Sequence, residues 1–161
     1  MRRLLPVLVG TVIVLAGLYG LVTVFNGRDS AGVQDSEPSG PGVLEAQDGG
    51  GTPPTSGDHE KRNVTSQRKV SRAALLTALE QGDVVIVHPP GPTPPALKQL
   101  QDDVSGPFDP ELAAAGQMVI VTPWPGVSDV QALAHRRRLR ASGPDDPKLR
   151  EFAEAWLGRG A

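Results

Sequence analysis

The hydrophobic pattern of the chain begins with one long apolar run and then changes to short elements. Residues Leu4 to Phe25 include no charged side chain, and Arg2 and Arg3 precede them. As a helix, this run extends about 33 Å, which exceeds the roughly 30 Å of hydrocarbon in a bilayer. The sequence therefore predicts a cytoplasmic tip and a transmembrane helix in residues 1–26.

The charges on either side of this run predict its orientation. Arg2, Arg3 and the amino terminus lie on one side, whereas Arg28 on the other side is followed at once by Asp29. The positive-inside rule then keeps the N-terminus in the cytoplasm and exports the rest of the chain. A cleaved signal peptide is the alternative, but its apolar core spans only about 7 to 15 residues. We therefore expect a single-pass protein of the cell membrane with an extracytoplasmic C-terminal domain.

The next residues, 27–51, are rich in glycine, serine, proline and acidic side chains. Their apolar residues are isolated, as Val43 and Leu44 are. Such a segment buries too little apolar surface to offset the entropy of ordering, so we expect a disordered linker. The remaining residues, 52–161, are enough for one small domain.

Helical and strand patterns follow one another in this domain. The apolar spacing from Ala74 to Leu79 predicts a helix that Ser71 caps and Gly82 ends. The β-branched run Val84–Val87 then predicts a strand that is buried on both faces.

Two short helices are predicted between this strand and the next. Thr93 as the cap and Pro94 as the first residue start one helix, and Asp109 with Pro110 starts another. Met118–Val121 has the composition of a second buried strand. A strand, a helical crossover and a strand form a βαβ unit, so we expect the two strands to be parallel.

The last part of the domain contains one ambiguous segment and one clear helix. In Val130–Ala141, the composition favours a helix, yet Leu133, His135, Arg137 and Leu139 alternate as they would in a strand. Asp146 and Pro147 then start a helix whose apolar residues recur at helical spacing before Gly158. The pattern as a whole predicts an α/β domain.

Charge and composition exclude several classes of function. The chain has 16 basic and 18 acidic residues, so the part beyond Arg2 and Arg3 has 14 basic residues and is mildly acidic. A nucleic-acid-binding domain needs a net basic face, so we expect no nucleic-acid partner. The chain contains no cysteine. Thiol catalysis, disulfide exchange and cysteine-ligated zinc are therefore excluded.

Two motifs resemble those of a bacterial family. Residues 53–59 read PPTSGDH, and residues 79–82 read LEQG directly before a predicted strand. They are similar to the PPTSGxH and LEHG motifs of the domain-of-unknown-function family DUF3105, and the resemblance covers roughly Thr52 to the C-terminus. Members are commonly single-pass membrane-anchored proteins without an assigned activity.

The resemblance also carries implications for the fold. It implies that Val130–Arg138 is a strand hairpinned to Val119–Val121, against its helical propensity. The expected result is a small mixed sheet with flanking helices, similar to the C-terminal half of a thioredoxin-like fold.

This chain departs from the family pattern at two histidines. By the resemblance, the histidine of the LEHG motif corresponds to Gln81, and a second family histidine corresponds to Thr77. Of that set, His59 is retained. If relatives hold a metal with a His/Glu cluster, this chain has lost most of the ligands.

His59 and Glu80 are the best candidates for a metal site, because imidazole and carboxylate groups together ligate zinc and other divalent ions. His88 is a third candidate. The structural alternative is that His59 ends a loop, Glu80 lies at a helix end and His88 ends a strand, with no cofactor. Ser56 lies close to His59, but a Ser-Gly pair in a proline-rich stretch is more typical of a turn than of a nucleophile.

A second candidate is a binding surface. Arg136, Arg137, Arg138 and Arg140 form a dense basic cluster that could contact anionic headgroups or polymers. The alternative is a solvated edge strand that repels further pairing. Trp124, between two prolines, could be an exposed recognition residue or could clamp a turn onto the core.

Together these features predict a membrane-anchored, extracytoplasmic binding or envelope-associated module. Its expected partners are the bilayer, through Leu4–Phe25, and an envelope protein or anionic surface. The alternative from another class is a metal-dependent or redox-related enzyme derived from a histidine-richer relative.

Overall fold

The computed structural model describes residues 40–46 and 51–161, and residues 40–161 form one compact unit. Its centre is a mixed sheet of five strands in the order β1-β5-β4-β2-β3. Strands β2 and β3 are parallel, and every other neighbouring pair is antiparallel. The strands are β1 (Val43–Leu44), β2 (Val84–His88), β3 (Val119–Pro123), β4 (Gln131–Ala134) and β5 (Arg137–Arg140).

Helices cover both faces of this sheet. They are α1 (Arg72–Gln81), α2 (Pro95–Val104), α3 (Pro110–Ala114) and α4 (Lys148–Trp156). Successive residues of β2 point to opposite faces: Val85 and Val87 pack with α1 and α3, whereas Val84 and Ile86 pack with α2 and α4. This arrangement explains the unbroken apolar run in β2, because both of its faces are buried.

The local signals at α1 and α3 are confirmed. Ser71 Oγ accepts a hydrogen bond from the Ala74 N–H at 3.2 Å, and Gly82 ends α1 in the left-handed region. Asp109 Oδ1 caps α3 by accepting from the Glu111 N–H at 2.7 Å. Short-range caps of this kind depend only on neighbouring residues, which is why the sequence predicts them.

The start of α2 differs from the prediction. Pro94 occupies the cap position, so the helix begins at Pro95 and no side chain caps it. Thr93 is therefore not the cap. The start of α4 also moves by one residue, although Asp146 Oδ1 does accept from the Lys148 N–H at 3.0 Å.

The segment Val130–Ala141 forms two strands, so its helical propensity is overruled. The hairpin joins β4 to β5 through His135 and Arg136, and Arg136 has a φ of 54°. The expectation that this segment would pair with Val119–Val121 was wrong, since β4 pairs with β2 instead. Ala132, Leu133 and Ala134 are at most 1% exposed, and a position between β2 and β5 buries them on both faces.

The first strand lies in the region for which a linker was predicted. Val43 and Leu44 pair with Arg138 and Arg137 of β5, so part of residues 27–51 belongs to the folded unit. Consequently β5 is not an edge strand, and β1 covers it. Within residues 40–46 and 51–161, no helix is long and apolar enough to cross a membrane. The predicted helix at Leu4–Phe25 lies outside the described residues.

Candidate functional site

The proline-rich motif at residues 53–59 forms a loop that is fixed by hydrogen bonds and positions His59. Thr55 Oγ1 donates to Glu45 Oε2 at 2.5 Å, and the Thr55 carbonyl accepts from the Arg136 N–H at 3.1 Å. Gly57 has a φ of 127°, a backbone conformation that residues with a side chain rarely adopt. Glycine therefore allows the chain to turn there. The loop is thereby attached to the β4–β5 hairpin immediately before His59.

Both ring nitrogens of His59 have partners. Nδ1 lies 3.0 Å from the Gly57 carbonyl, which can only accept, so Nδ1 carries a proton and donates. Nε2 lies 3.0 Å from Thr77 Oγ1, whose hydroxyl donates to it, and the same oxygen accepts from the Arg62 N–H. The His59 side chain is 5% exposed. These contacts hold the imidazole in one orientation and one tautomer.

Glu80 reaches the same place from the last turn of α1. Residues three apart on a helix share a face, so Thr77 and Glu80 both approach His59. Glu80 Oε2 lies 3.7 Å from His59 Nε2, which is beyond hydrogen-bond distance. The Glu80 side chain is 35% exposed, and its backbone carbonyl accepts from the Ala161 N–H at 2.9 Å. The sequence-based pairing of His59 with Glu80 therefore corresponds to real proximity.

His135 is the member of this site that sequence reasoning missed. It occupies the β4–β5 turn and lines a cleft of about 260 Å³ together with His59 and Glu80. Burial lowers the pKa of His135 below its ordinary value, against the opposite effect of Glu80, and so favours the neutral ring. Its Nδ1 is buried and has no hydrogen-bond partner among the described residues. The remaining residues of the cleft are Ser56, Gly57, Asp58 and Lys61.

His88, the other candidate ligand, does not join this cleft. It ends β2, is 1% exposed, and its Nδ1 donates to the Pro89 carbonyl at 2.8 Å. The antiparallel register pairs Val85 with Leu133, which places His135 at the opposite end of β2 from His88. In the described part of the chain, no three histidine, aspartate or glutamate side chains are arranged to hold a metal ion.

The arrangement around Ser56 is that of a structural hydroxyl. Ser56 Oγ donates to the Ala46 carbonyl at 3.4 Å, whereas His59 Nε2 is engaged with Thr77. An activated serine needs a base within hydrogen-bond reach of its hydroxyl. The cleft therefore contains polar and charged groups, and Ser56 is not arranged as an activated nucleophile.

The four arginines of the predicted basic surface lie in different environments. Arg138 is 7% exposed and pairs with Glu45, Arg137 lies 4.8 Å over the Trp156 ring, and Arg136 is in the hairpin turn. Arg140 is exposed. Trp124 is half-buried against the core on the α1 side, as expected of a residue that clamps a turn. Arg138 is therefore unavailable as a surface group.

Comparison with known proteins identifies the family. A family model described as "Protein of unknown function (DUF3105)" matches residues 48–160, which is more than half of the chain. The chain belongs to the DUF3105 family. No curated protein and no solved structure gives a significant match.

The two DUF3105 motifs meet at this cleft. His59 comes from the first motif and Glu80 from the second, although they are 21 positions apart in the chain. Thr77, where the family resemblance implies a histidine, contacts His59 directly. Gln81, at the other such position, donates to Asn63 Oδ1 at 3.3 Å. In this chain, a hydroxyl and an amide therefore occupy the two positions where the family resemblance implies imidazoles.

Proposed function

We propose that this DUF3105 protein is a membrane-anchored, extracytoplasmic binding module, and that the cleft of His59, Glu80 and His135 is its binding site. The single observation that carries the site is the meeting of the two motifs with the β4–β5 turn in one polar cleft. His59 is fixed through both nitrogens, so the cleft is preorganised for recognition.

The membrane anchor in this proposal is Leu4–Phe25. Its length suits a bilayer, and the arginines that precede it favour a cytoplasmic N-terminus. An envelope protein fits the site better than an anionic surface does. An anionic surface would need the arginines of residues 136–140 to act together, and Arg138 is buried beside Glu45.

We further propose that the domain is thioredoxin-like. The supporting features are the parallel strands β2 and β3 linked through helices, the hairpin of β4 and β5 antiparallel to β2, and the final helix α4. This is a proposal about fold alone, since fold does not imply function. With no cysteine in the chain, thiol redox chemistry is not part of it.

Site-specific crosslinking in cells tests the binding site. In the full-length chain, a photo-crosslinking residue replaces Lys61, which is exposed and lines the cleft. The matched control replaces Lys98, which is exposed on α2 on the opposite side of the sheet. We expect a discrete adduct from position 61 that disappears in Glu80→Gln and is absent from position 98. Identical adducts at both positions, or an adduct indifferent to Glu80→Gln, would contradict the proposed site.

The membrane topology has its own test. Protease added to spheroplasts should degrade the C-terminal domain, while a tag at the N-terminus stays protected and remains in the membrane fraction. A protected C-terminal domain would contradict the orientation, and a soluble mature chain without its N-terminal tag would contradict the anchor.

A further inference from the structure

We infer that the cleft of His59, Glu80 and His135 receives a cationic hydrogen-bond donor, a primary ammonium or guanidinium group, and that Glu80 is its main acceptor. This inference rests on the proposed binding function and specifies the chemistry of what is bound. It follows from three features of the cleft: the position of Glu80, the hydrogen bonding of the two imidazoles and the anchoring of the backbone that carries Glu80.

The first feature is the electrostatic position of Glu80. It lies in the last turn of α1, where the helix dipole presents its negative end, and no basic residue occupies that turn. An acid there is unfavourable for the helix by itself, whereas a cation there is favoured. Asp58 adds a second carboxylate to the lining of the cleft. The helix end and the two carboxylates together make the electrostatic potential in the cleft negative, which favours a bound cation.

The second feature is that neither imidazole is hydrogen-bonded to the Glu80 carboxylate. Burial favours the neutral form of His135 by lowering its pKa, and Arg136 in the same turn acts in the same direction. His59 uses both ring nitrogens for Gly57 and Thr77, and its Nε2 stays 3.7 Å from the carboxylate. Lys61 lines the cleft as an exposed side chain on its rim. The accessible part of Glu80 therefore faces the cavity as an acceptor.

The third feature is that the backbone that carries Glu80 is held in place. The Glu80 carbonyl accepts from the Ala161 N–H at 2.9 Å, and the Gly82 carbonyl accepts from the Gly158 N–H at 2.8 Å. These bonds clamp the end of α1 against the C-terminal residues. Because the backbone at Glu80 is fixed, less entropy is lost when its carboxylate binds a ligand, which favours recognition of a donor group.

The histidines provide a direct way to test this inference. The chain has three, of which His59 and His135 line the cleft and His88 lies at the far end of β2. Full-length protein labelled with ¹⁵N-histidine would be titrated with N-acetyl-lysine amide, which represents a protein side chain, and with ethanolamine, which represents a lipid headgroup. Tetramethylammonium has the same charge without N–H donors, and acetate has the opposite charge.

We expect saturable shifts of the His59 and His135 resonances with at least one of the two amines, and an unchanged His88. The apparent affinity should fall about tenfold in Glu80→Gln, as for loss of a charge-assisted hydrogen bond. Glu60→Gln, which removes the same charge from an exposed residue outside the cleft lining, should leave it unchanged. Whichever amine binds identifies the source of the ligand.

Three patterns of shift would overturn the inference. They are equal shifts with tetramethylammonium, shifts with acetate in place of the amines, or amine shifts that survive Glu80→Gln. Absence of any shift would overturn it as well. None of these results depends on the crosslink from position 61. The crosslinking experiment therefore tests the proposed binding function separately.

Discussion

Arg138 and Glu45 form an ion pair, with 2.7 Å between Nε and Oε1, that joins the residue after β1 to the middle of β5. Arg138 also donates to Gln131 Oε1 at 2.5 Å and to the carbonyl of Pro53. Burial raises the pKa of the Glu45 carboxyl, but hydrogen bonds from Arg138 and Thr55 outweigh it, and the net pKa lies below the ordinary value. One guanidinium thus connects β1, β4, β5 and the proline-rich loop.

Removing this guanidinium should destabilise the domain strongly. We expect Arg138→Ala to lower the free energy of unfolding by about 3 kcal/mol, because it leaves the Glu45 carboxylate without its counter-ion and Gln131 Oε1 without its donor. Urea denaturation measures the change. Arg140→Ala removes an exposed arginine from the same strand and should cost less than about 0.5 kcal/mol. Similar losses for the two variants would show that the buried network contributes little.

Asp83 should make stability depend on pH. It is 1% exposed, and burial raises its pKa from 3.8 to about 7 against the opposing hydrogen bond from the Met118 N–H. Because the folded state binds this proton more tightly than the unfolded chain, its stabilising contribution is complete below about pH 4 and is lost as the pH rises to about 7. At about 1.4 kcal/mol for each pKa unit, the loss is at most about 4 kcal/mol.

The variant Asp83→Asn isolates this effect, since its amide oxygen can still accept from the Met118 N–H and it does not titrate. Unfolding free energies of the two proteins should diverge in favour of the variant between pH 4.5 and pH 8. Asp102→Asn, on an exposed position of α2, should produce no such divergence. A difference between native and Asp83→Asn proteins that stays constant with pH would refute the prediction.

Gly116 should be intolerant of any side chain. It has a φ of 70°, and a Cβ there would lie 1.9 Å from the Gln81 carbonyl oxygen. Gly106 has a comparable φ of 85° with open space around it. Gly106→Ala should cost about 1 to 2 kcal/mol from backbone strain alone. Gly116→Ala should cost about 1 to 3 kcal/mol more, because the Cβ also displaces the end of α1. Equal thermal stabilities would contradict this reading of the contact.

The pKa of His135 should respond to Glu80. Burial holds this pKa below its ordinary value, while the Glu80 carboxylate partly restores it. We therefore expect Glu80→Gln to lower the pKa of His135 further, as measured by NMR titration of the imidazole. Glu60→Gln serves as the charge-matched control. An unchanged or higher pKa in Glu80→Gln would mean that the two side chains do not interact across the cleft.

Placing imidazoles on α1 at the two positions where the family resemblance implies them should create a metal site. Positions 77 and 81 are one helical turn apart, and Thr77 already contacts His59. Histidines at both positions would bring the donors near His59 and Glu80 to the three or four that zinc requires. We expect the double variant Thr77→His/Gln81→His to bind zinc at least tenfold more tightly than the native protein in a calorimetric titration. Comparable zinc affinities of the double variant and the native protein would show that positions 77 and 81 do not contribute ligands to a metal site.

Much of the local structure was predictable because it depends on neighbouring residues. The caps at Ser71, Gly82 and Asp109 involve residues within one helical turn. The β-branched run of β2 indicates a strand buried on both faces. The two motifs likewise pointed to the family and to His59 and Glu80 as a pair. Both conclusions needed only short stretches of sequence.

The sequence by itself therefore determined the α/β class, the main helices and strands, the absence of thiol chemistry and the family. Tertiary structure alone decided that β4 pairs with β2, that β1 covers β5, that Arg138 is buried and that His135 completes the cleft in place of His88. Each of these depends on strand pairings between distant parts of the chain. Such pairings are selected by the burial of whole faces and by shared polar partners, and short-range patterns do not record them.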